Sequence, residues 1–277
     1  MLVVGGGWLG RPAVARLCAQ SFPHGGISVG APSTAAVGRL RDAIRPDEGT
    51  IVVNLSGLKW GARGELLTSN ALIPETLAEA LAPSGAHLVQ VGSAAEYGIP
   101  SGGIPLSESA QCLPVTDYGI TKLRGTEAVL AAMPTATVLR PFNIVDTDLP
   151  VRSPLIDIRE RIGRVRRTGA TVDLIAASTS RDYVSRRFVI ESIASAVQVR
   201  PAGVYNICSG VGVGTGQVVR MILDDLGLTN EISSSDEALA SSIVGNPTRW
   251  RILSGQVEEL GCRGVVDMLQ WSDLWRG

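Results

Sequence analysis

Short apolar runs alternate with longer stretches of helical periodicity through the first half of the chain. Apolar runs with the length of buried strands lie at 1–4, 26–30, 50–55, 87–92 and 137–141. Apolar residues recur at helical spacing over 12–20, 35–43, 70–82 and 118–132. This alternation predicts an α/β fold in which helices cover both faces of a doubly wound parallel sheet.

The carboxyl ends of the predicted strands carry glycine or polar residues. Gly5, Asn54, Ser93 and Asn143 each fall at or just after a predicted strand. In doubly wound sheets the ligand lies beyond the carboxyl ends of the strands. We therefore expect these four residues to meet in one site.

The second half of the chain is less regular. Its most charged stretch is a helix-like segment that contains Arg159, Arg161, Arg164, Arg166 and Arg167. A solvated helical face is the favoured interpretation, and the alternative is that one or two of these arginines reach a phosphate. The serine-rich patch at 233–236 is expected to be a loop.

Composition limits the classes of function. The chain has 277 residues, 45% of them hydrophobic, and a net charge of −1. This balance gives no sign of binding to nucleic acid or to a charged membrane surface. No apolar run is long enough to span a membrane, and no basic stretch followed by an apolar segment opens the chain. We expect a soluble cytoplasmic protein.

Cysteine and histidine usage argues against disulfides and metal sites. The four cysteines are scattered, without Cys-x-x-Cys spacing, and are expected to be small buried side chains in a reducing compartment. Only two histidines occur, His24 and His87. A histidine-based metal site or catalytic triad is therefore not expected.

A glycine motif follows the first predicted strand. Gly5, Gly7 and Gly10 have the spacing Gly-x-Gly-x-x-Gly, after an apolar run and before a helical pattern. In that context the motif indicates dinucleotide binding, because the glycines allow a tight turn and close approach of the backbone to a pyrophosphate. The alternative is a glycine-rich turn that binds no ligand.

Tyr118 and Lys122 are four residues apart in a predicted helix, so their side chains share one face. A free tyrosine has a pKa near 10, and a nearby lysine cation favours the phenolate. We expect a lowered pKa that suits acid/base catalysis. A pair of solvated surface residues is the alternative that the spacing alone leaves open.

These motifs occur together in one known family. The chain resembles the extended short-chain dehydrogenase/reductases, specifically the group that acts on nucleotide sugars as epimerases, dehydratases and reductases. In chain order the matching segments are the glycine loop at 5–10, Asn54-Leu-Ser-Gly57, Asn70, Val91-Gly-Ser-Ala-Ala-Glu-Tyr-Gly98, Tyr118-x-x-x-Lys122, Arg140-Pro-Phe-Asn143 and Arg181-Asp-Tyr-Val184.

The resemblance implies a division of the chain and a set of roles. It implies a Rossmann-type dinucleotide-binding domain over 1–145, to which 188–208 returns, and a smaller, mainly substrate-binding domain over 146–277. Tyr118 is implied as the acid/base, with Lys122 and Ser93 beside it. Ser93, Asn143 and Arg181 are implied to contact the substrate. The cofactor is expected to contact Gly5, Gly7, Trp8, Leu9, Gly10, Ser33, Arg39, Asn54, Leu55, Ser56, Asn70, Tyr118, Lys122 and Pro141.

Two departures from the family pattern narrow the reaction. Dehydratases of this group carry acidic residues directly after the catalytic serine or threonine, whereas this chain has Ala94 and Ala95. Dehydration is therefore not expected. After Val184 the family continues with His-x-x-Asp, and here 185–188 reads Ser-Arg-Arg-Phe. This difference bears on substrate contacts rather than on the fold.

The region after the second predicted strand bears on the choice of cofactor. An NAD site places an acidic residue there to hold the ribose diol, and the stretch 28–34 contains none. Ser33 and Thr34 are instead suited to accept a 2′-phosphate, helped by Arg39 or Arg41. The alternative is that these arginines are ordinary surface residues of the next helix. NADP is the expected cofactor, with NAD as the alternative.

The expected activity is reduction of a keto group on a nucleotide-activated sugar or a related metabolite. An epimerase that keeps NAD tightly bound is the alternative, because it uses the same Ser-Tyr-Lys site. A non-catalytic dinucleotide-binding sensor is a more distant one. Relatives commonly pair through the helix that bears the Tyr-Lys pair, so a homodimer is expected, without nucleic acid, membrane or metal.

Overall fold

The computed structural model describes residues 1–5, 7–19, 25–27, 46–100, 103–148 and 154–269. Ser33, Arg39 and the predicted helix at 35–43 lie outside these described residues, as do positions 28–30 of the second predicted strand.

The elements of the described chain follow in chain order. The strands are β1 (Leu2–Val4), β2 (Gly25–Ile27), β3 (Ile51–Asn54), β4 (His87–Val91), β5 (Thr137–Pro141), β6 (Asn143–Val145), β7 (Val172–Leu174), β8 (Ser180–Ser185), β9 (Gly203–Ile207), β10 (Gly212–Gly214), β11 (Ile232–Ser234) and β12 (Ser242–Ile243). The helices are α1 (Gly10–Ala19), α2 (Arg63–Leu67), a π-helical turn (Thr68–Leu72), α3 (Ile73–Leu81), α4 (Asp117–Ala132), α5 (Pro154–Thr168), α6 (Arg186–Val199), α7 (Thr215–Asp225), α8 (Thr248–Ser254) and α9 (Cys262–Met268). Short 3-10 turns lie at Ala82–Ser84, Ala94–Tyr97 and Glu237–Leu239.

A six-stranded sheet in the order β2-β1-β3-β4-β5-β9 forms the centre of the molecule. Each neighbouring pair in it is parallel. The chain begins at β1, extends to one side with β2 and then crosses to the other side with β3. The order therefore reverses between β1 and β3, and ligands of such sheets bind at that point, beyond the carboxyl ends of the strands.

Alternate strand residues point to opposite faces of this sheet, as the pleat requires. One face packs against α1 and α6 through Val3, Val53, Val89 and Leu139. The other face packs against α3 and α4 through Val4, Val52, Leu88 and Val138. Both faces are buried by helices, so the predicted α/β fold is confirmed.

A second apolar core lies in the C-terminal part. Strand β8 pairs with β6 and β12 in parallel and with β10 antiparallel, while β7 pairs with β11. Helices α5, α7 and α9 cover these strands through a shared core that includes Ile162, Tyr183, Ile222 and Val265. Because β6 starts two residues after β5 ends, the chain passes directly from the central sheet into this core.

Two expectations about the chain are wrong. The patch at 233–236 is not entirely a loop, because Ser233 and Ser234 belong to β11 and pair with Asp173 and Leu174. The signal was missed because this strand is short and largely polar. Cys208 is buried as expected, whereas Cys112 and Cys262 are partly exposed.

Within the described residues, no helix has the length and apolar character needed to cross a membrane.

Candidate active site

The glycine loop is shaped by close approach to the next strand end. Gly5 has a φ of +102°, and a Cβ at this position would lie 2.7 Å from the carbonyl carbon of Leu55. Only glycine is compatible with both features. A Cβ on Gly10 would lie 2.4 Å from the Gly5 carbonyl oxygen, whereas one on Gly7 would meet nothing within 4 Å. The loop is thus tightly packed at its two ends and open in the middle.

The turn after β3 is held by a buried amide. Asn54 Nδ2 donates to Gln90 Oε1 at 2.7 Å, and Asn54 Oδ1 accepts from the Ser56 backbone N–H and hydroxyl at 3.0 and 2.6 Å. Leu55 N–H donates to the Val4 carbonyl at 2.8 Å. The predicted residues Asn54, Leu55 and Ser56 therefore lie directly beside the glycine loop.

Asn70 is presented by the π-helical turn, a local irregularity that is frequent at functional sites. Its side chain is fully buried. It accepts from Leu58 N–H at 2.9 Å and donates to Leu58 O at 2.8 Å and to Thr121 Oγ1 at 3.0 Å. Asn70 thus connects the segment after β3 to helix α4, which carries the Tyr-Lys pair.

Ser93 caps the 3-10 turn that follows β4. Its Oγ accepts from Ala95 N–H at 3.2 Å, while its own N–H donates to Glu96 Oε1 at 2.8 Å. The Glu96 carboxylate is fully buried and accepts from Arg140 Nε at 2.7 Å. A buried ion pair therefore fixes the backbone from which the Ser93 hydroxyl projects.

Helix α4 brings Tyr118 and Lys122 against this turn. Thr116 caps the helix by accepting from Gly119 N–H at 3.1 Å. A Cβ on Gly119 would lie 2.5 Å from the Ala95 carbonyl, so glycine allows the helix to touch the Ser93 turn. The Ser93 side chain lies close enough to the Tyr118 phenol to affect its pKa. Lys122 is buried and donates from Nζ to the Val91 carbonyl at 3.0 Å.

The electrostatics of the pair correct one expectation. Burial raises the pKa of Tyr118, against a lowering contribution from the Ser93 hydrogen bond and with a further increase from the Glu96 charge. Burial also lowers the pKa of Lys122 to about 8, partly opposed by Glu96. The predicted lowering of the Tyr118 pKa is therefore wrong in this structure. Tertiary burial disfavours both charged forms, and the Lys122 ammonium is directed at a backbone carbonyl.

The predicted substrate residues Asn143 and Arg181 line a separate cavity of about 390 Å³. Arg181 Nη1 donates to the Ser241 carbonyl at 2.7 Å, and Asn143 Nδ2 donates to the Asp182 carbonyl at 2.9 Å. The remaining lining residues are Lys59, Ile144, Leu155, Asp157, Ile158, Arg161, Leu174, Ile175, Ala176, Thr179, Tyr183, Thr215 and Leu239.

The cavity and the Ser93–Tyr118–Lys122 group are connected through two short segments. A Cβ on Gly57 would lie 2.9 Å from Lys122 Nζ, and Lys59 lines the cavity two residues further along. Buried Pro141 ends β5, and Asn143 begins β6 at the cavity wall. The structure thus places Asn143, at the wall of the cavity that also contains Arg181, next to the carboxyl end of β5.

A model of the NAD dependent epimerase/dehydratase family matches residues 1–208. The chain belongs to this family.

Two named relatives agree with this assignment. The chain is 31% identical over 278 residues to a dTDP-6-deoxy-L-talose 4-dehydrogenase (NAD(P)(+)) of Kitasatospora kifunensis, covering 91% of this chain and 86% of that protein. It is 33% identical over 184 residues to a probable dTDP-4,6-dihydroxy-2-methyloxan-3-one 4-ketoreductase of Streptomyces antibioticus, covering 61% and 57%.

Solved structures share the fold. RMD from Pseudomonas aeruginosa, complexed with NADPH, has a TM-score of 0.78 at 20% identity, covering 98% of this chain and 99% of that chain. WbmG of Bordetella bronchiseptica, in complex with NAD and UDP, has a TM-score of 0.80 at 21% identity, covering 99% and 94%. As a member of the epimerase/dehydratase family, the chain is an NAD(P)-dependent enzyme.

The described residues of this epimerase/dehydratase family member fit a dinucleotide. Gly7 leaves open space in the loop, and helix α1 begins at Gly10 at the end of the same loop. A helix N-terminus at this place favours phosphate groups. A side chain at Gly57 would fill the space beside Lys122 Nζ and Asn70 Oδ1. Trp8 and Leu9, also predicted to contact the cofactor, are partly buried in the same loop.

Sequence reasoning missed several residues around the site. No motif in the sequence identified Lys59. Arg161 was identified only as one of five arginines in a helix-like segment, one or two of which could reach a phosphate. Arg161 lies at the cavity with Asp157 and Ile158, one helical turn apart on α5. That spacing is the signal that would have distinguished it from its neighbours. The pairing of Glu96 with Arg140 had no local signal, because the two residues are far apart in sequence.

Proposed function

We propose that this enzyme uses NADPH to reduce a C4 keto group on a dTDP-activated 6-deoxy sugar. The observation that carries the proposal is the placement of Ser93, Tyr118 and Lys122. The Ser93 side chain is close enough to the Tyr118 phenol to affect its pKa, and the buried Lys122 lies one helical turn along α4. Binding a dinucleotide does not require a phenol at this position, so the arrangement favours catalysis over a sensor role.

Tyr118 is suited to protonate the substrate oxygen. Burial raises its pKa, so the phenol keeps its proton at neutral pH and is ready to donate it as the carbonyl becomes a hydroxyl. Ser93 donates a hydrogen bond to the same oxygen and stabilises the negative charge that develops on it. Lys122 lies one helical turn along α4 from Tyr118 and donates to the Val91 carbonyl. The nicotinamide, when bound, supplies the hydride.

The charges of the cavity support a nucleotide diphosphate as the rest of the substrate. Among the described residues, Lys59, Arg161 and Arg181 line it together with a single carboxylate, Asp157. Arginine forms charge-assisted, bidentate hydrogen bonds with phosphate oxygens. The dTDP group and the C4 position are proposed from the names of the two relatives, which both act at C4 of a dTDP sugar or are named for such a reaction.

Glu96 supports reduction rather than dehydration. It is the first carboxylate after Ser93, and its two oxygens are engaged by Ser93 N–H and Arg140 Nε. A carboxylate held in this way is not available to move a proton to or from a substrate carbon. Ala94 and Ala95 supply no replacement.

The preference for NADPH rests on Ser33 and Arg39 in the sequence, because both lie outside the described residues. The name of the Kitasatospora relative permits either dinucleotide, and RMD was solved with NADPH. We propose that these two side chains contact the 2′-phosphate. The Ser33→Asp variant is expected to weaken NADPH binding relative to NADH.

The test combines a substrate assay with a matched pair of variants. Purified enzyme is given a dTDP-4-keto-6-deoxy sugar and NADPH, and the loss of reduced-nicotinamide absorbance is followed. Tyr118→Phe should lower kcat by about 100-fold or more, because it removes only the acid. Tyr205→Phe should leave kcat unchanged, because the Tyr205 hydroxyl donates to the Ala202 carbonyl within the fold.

Three outcomes separate the candidate functions. Oxidation of NADPH that depends on Tyr118 supports the reductase. Interconversion of two sugar epimers without net NADPH oxidation, together with NAD released on denaturation, identifies the epimerase instead. A folded protein that binds NADPH and turns over neither kind of sugar overturns the proposed reaction.

We also propose a cytoplasmic homodimer that pairs through α4. The supporting observation is Ile120, an apolar residue of α4 that is 43% exposed. Light scattering on the purified protein tests the oligomeric state, and an Ile120→Glu variant should shift it toward the monomer. A wild-type mass equal to that of one chain overturns the dimer.

A further inference from the structure

Arg186 makes an unusual set of contacts with the glycine loop. It is the first residue of α6 and falls in the segment where the chain departs from the family pattern. Its guanidinium carbon lies 4.7 Å from the centre of the Trp8 ring, a cation–π geometry. Its Nη1 also points to the Trp8 carbonyl at 3.5 Å. One side chain thus contacts both the ring and the backbone of Trp8.

Two carboxylates complete the cluster. Arg186 Nε lies 2.5 Å from Asp146 Oδ2, and Nη1 lies 3.8 Å from Asp148 Oδ2. The Trp8 indole N–H donates to the Asp148 carbonyl at 2.5 Å. The indole is therefore held on its face by a cation and at its edge by a backbone acceptor.

Burial distinguishes this cluster from an ordinary surface ion pair. The Arg186 and Asp146 side chains are 17% and 24% exposed, whereas Asp148 is 77% exposed. The closer pair is also the more buried one, so it is screened less by salt than an exposed pair. The Asp148 carboxylate at 3.8 Å contributes little to holding the cluster together.

The cluster lies at the part of the loop expected to receive phosphate. Trp8 stands between Gly7 and Gly10, where the backbone is open and helix α1 begins. Arg186 is one positive charge beside two carboxylates, Asp146 and Asp148. Without Arg186 the partly buried Asp146 carboxylate would keep, among the described residues, only the Thr147 N–H and hydroxyl as partners, at 2.6 and 3.1 Å, and its negative charge beside the loop would disfavour a bound pyrophosphate.

We propose that Arg186 is a positioning residue for the cofactor: it fixes Trp8 in the glycine loop and offsets the charge of Asp146, so that the loop can bind a dinucleotide pyrophosphate. The role is distinct from that of the glycines, which permit the shape of the loop. Arg186 holds that shape from a different part of the chain. The proposal concerns cofactor binding alone and holds whichever sugar the enzyme acts on.

The experiment measures NADPH binding to the purified protein by titration calorimetry, without any sugar. Arg186→Leu should weaken binding by roughly tenfold or more, which corresponds to about 1.4 kcal/mol. Arg187→Leu is the matched control, since Arg187 is the adjacent residue, is exposed and carries the same charge. It should bind NADPH as the wild type does.

Two further measurements separate this role from a purely structural one. Adding Asp146→Asn to Arg186→Leu should restore part of the lost affinity, because it removes a carboxylate beside the loop. The loss of NADPH affinity in Arg186→Leu, relative to the wild type, should become smaller as the salt concentration is raised, because salt screens repulsion between like charges. Loss of a structural contact alone would give neither result. In steady-state assays KM for NADPH should rise while kcat stays near the wild-type value.

Some outcomes overturn the proposal. Unchanged NADPH binding by folded Arg186→Leu is one, and equal weakening by Arg187→Leu is another. If Arg186→Leu does not fold, Trp8→Leu and Arg186→Lys carry the test. The first removes the stacking partner and the second keeps the charge without the planar group. Wild-type affinity in both of these variants rejects the role.

Discussion

Lys122 is a residue that the fold holds at a cost in stability. It is 5% exposed, and burial lowers its pKa from 10.5 to about 8, partly opposed by the Glu96 charge. One pKa unit corresponds to about 1.4 kcal/mol. At neutral pH, keeping this side chain charged in the folded state therefore lowers the free energy of unfolding by about 3 kcal/mol. Replacement by methionine removes the charge and keeps an unbranched side chain in its place.

The same variant loses little in hydrogen bonding. Lys122 Nζ donates to the Val91 carbonyl at 3.0 Å, a bond with a net contribution of about 1 kcal/mol. Gln90 Nε2 donates to that carbonyl at 3.0 Å as well, so it remains paired. We expect cofactor-free Lys122→Met to be about 2 kcal/mol more stable than the wild type, and to have lost its activity.

The effect has a defined pH dependence. Below pH 8 the lysine is charged in the folded and unfolded states, and the full cost is present. As the pH rises from about 8 toward 10.5, the folded protein releases its proton first, so wild-type stability recovers. By about pH 9.5 the difference in free energy of unfolding between the wild type and Lys122→Met should have become smaller by about 2 kcal/mol.

The assay is equilibrium urea unfolding of the cofactor-free proteins, followed by tryptophan fluorescence at neutral pH and at about pH 9.5. Arg187→Met, which removes an exposed cation, is the control and should change stability by less than about 0.5 kcal/mol. A Lys122→Met variant less stable than the wild type at neutral pH refutes the reasoning. So does a difference that fails to narrow at the higher pH.

Two further predictions concern buried groups. Arg140→Met removes the guanidinium that lies 2.7 Å from the buried Glu96 carboxylate, so urea unfolding should show a free energy of unfolding lower by about 3–5 kcal/mol. Adding Glu96→Gln should recover most of this loss. A loss under about 1 kcal/mol in the single variant would contradict the prediction. Burial, with a smaller effect of the Arg200 charge, lowers the pKa of His87 to about 4. The neutral imidazole therefore makes its full contribution to the free energy of unfolding above pH 6.5. As the pH drops toward 4 the free energy of unfolding should fall, by about 2 kcal/mol at pH 5. His87→Gln should remove this slope, and an unchanged slope in the variant would assign it to another group.

The sequence predicted those parts of the site that local spacing determines. The spacing of Gly5, Gly7 and Gly10 is a local pattern between a strand and a helix, so it can be recognised without knowledge of the distant residues that pack against the loop. Tyr118 and Lys122 share a helix face for the same local reason. The strand ends were also predictable, because buried parallel strands are nearly continuous apolar runs.

The parts that were missed depend on contacts between distant segments. The pKa of Tyr118 depends on how deeply the phenol is buried and on Glu96, and helix spacing reports neither. The stacking of Arg186 on Trp8 joins two residues that are far apart in the sequence: Trp8 follows the first strand of the central sheet, and Arg186 begins the helix before its last strand. Position along the chain gives no signal for such contacts, so only the folded structure shows them.

Strand β9 has a consequence for how the protein is made. It completes the central sheet by pairing with β5, with Thr137 opposite Gly203, yet the whole of β6, α5, β7, β8 and α6 is synthesised between the two strands. Until β9 leaves the ribosome, the edge of β5 has unpaired backbone groups that can pair with another nascent chain. Expression of a fragment that ends near residue 145 leaves that edge open permanently, so such a fragment should aggregate rather than fold as a separate nucleotide-binding unit.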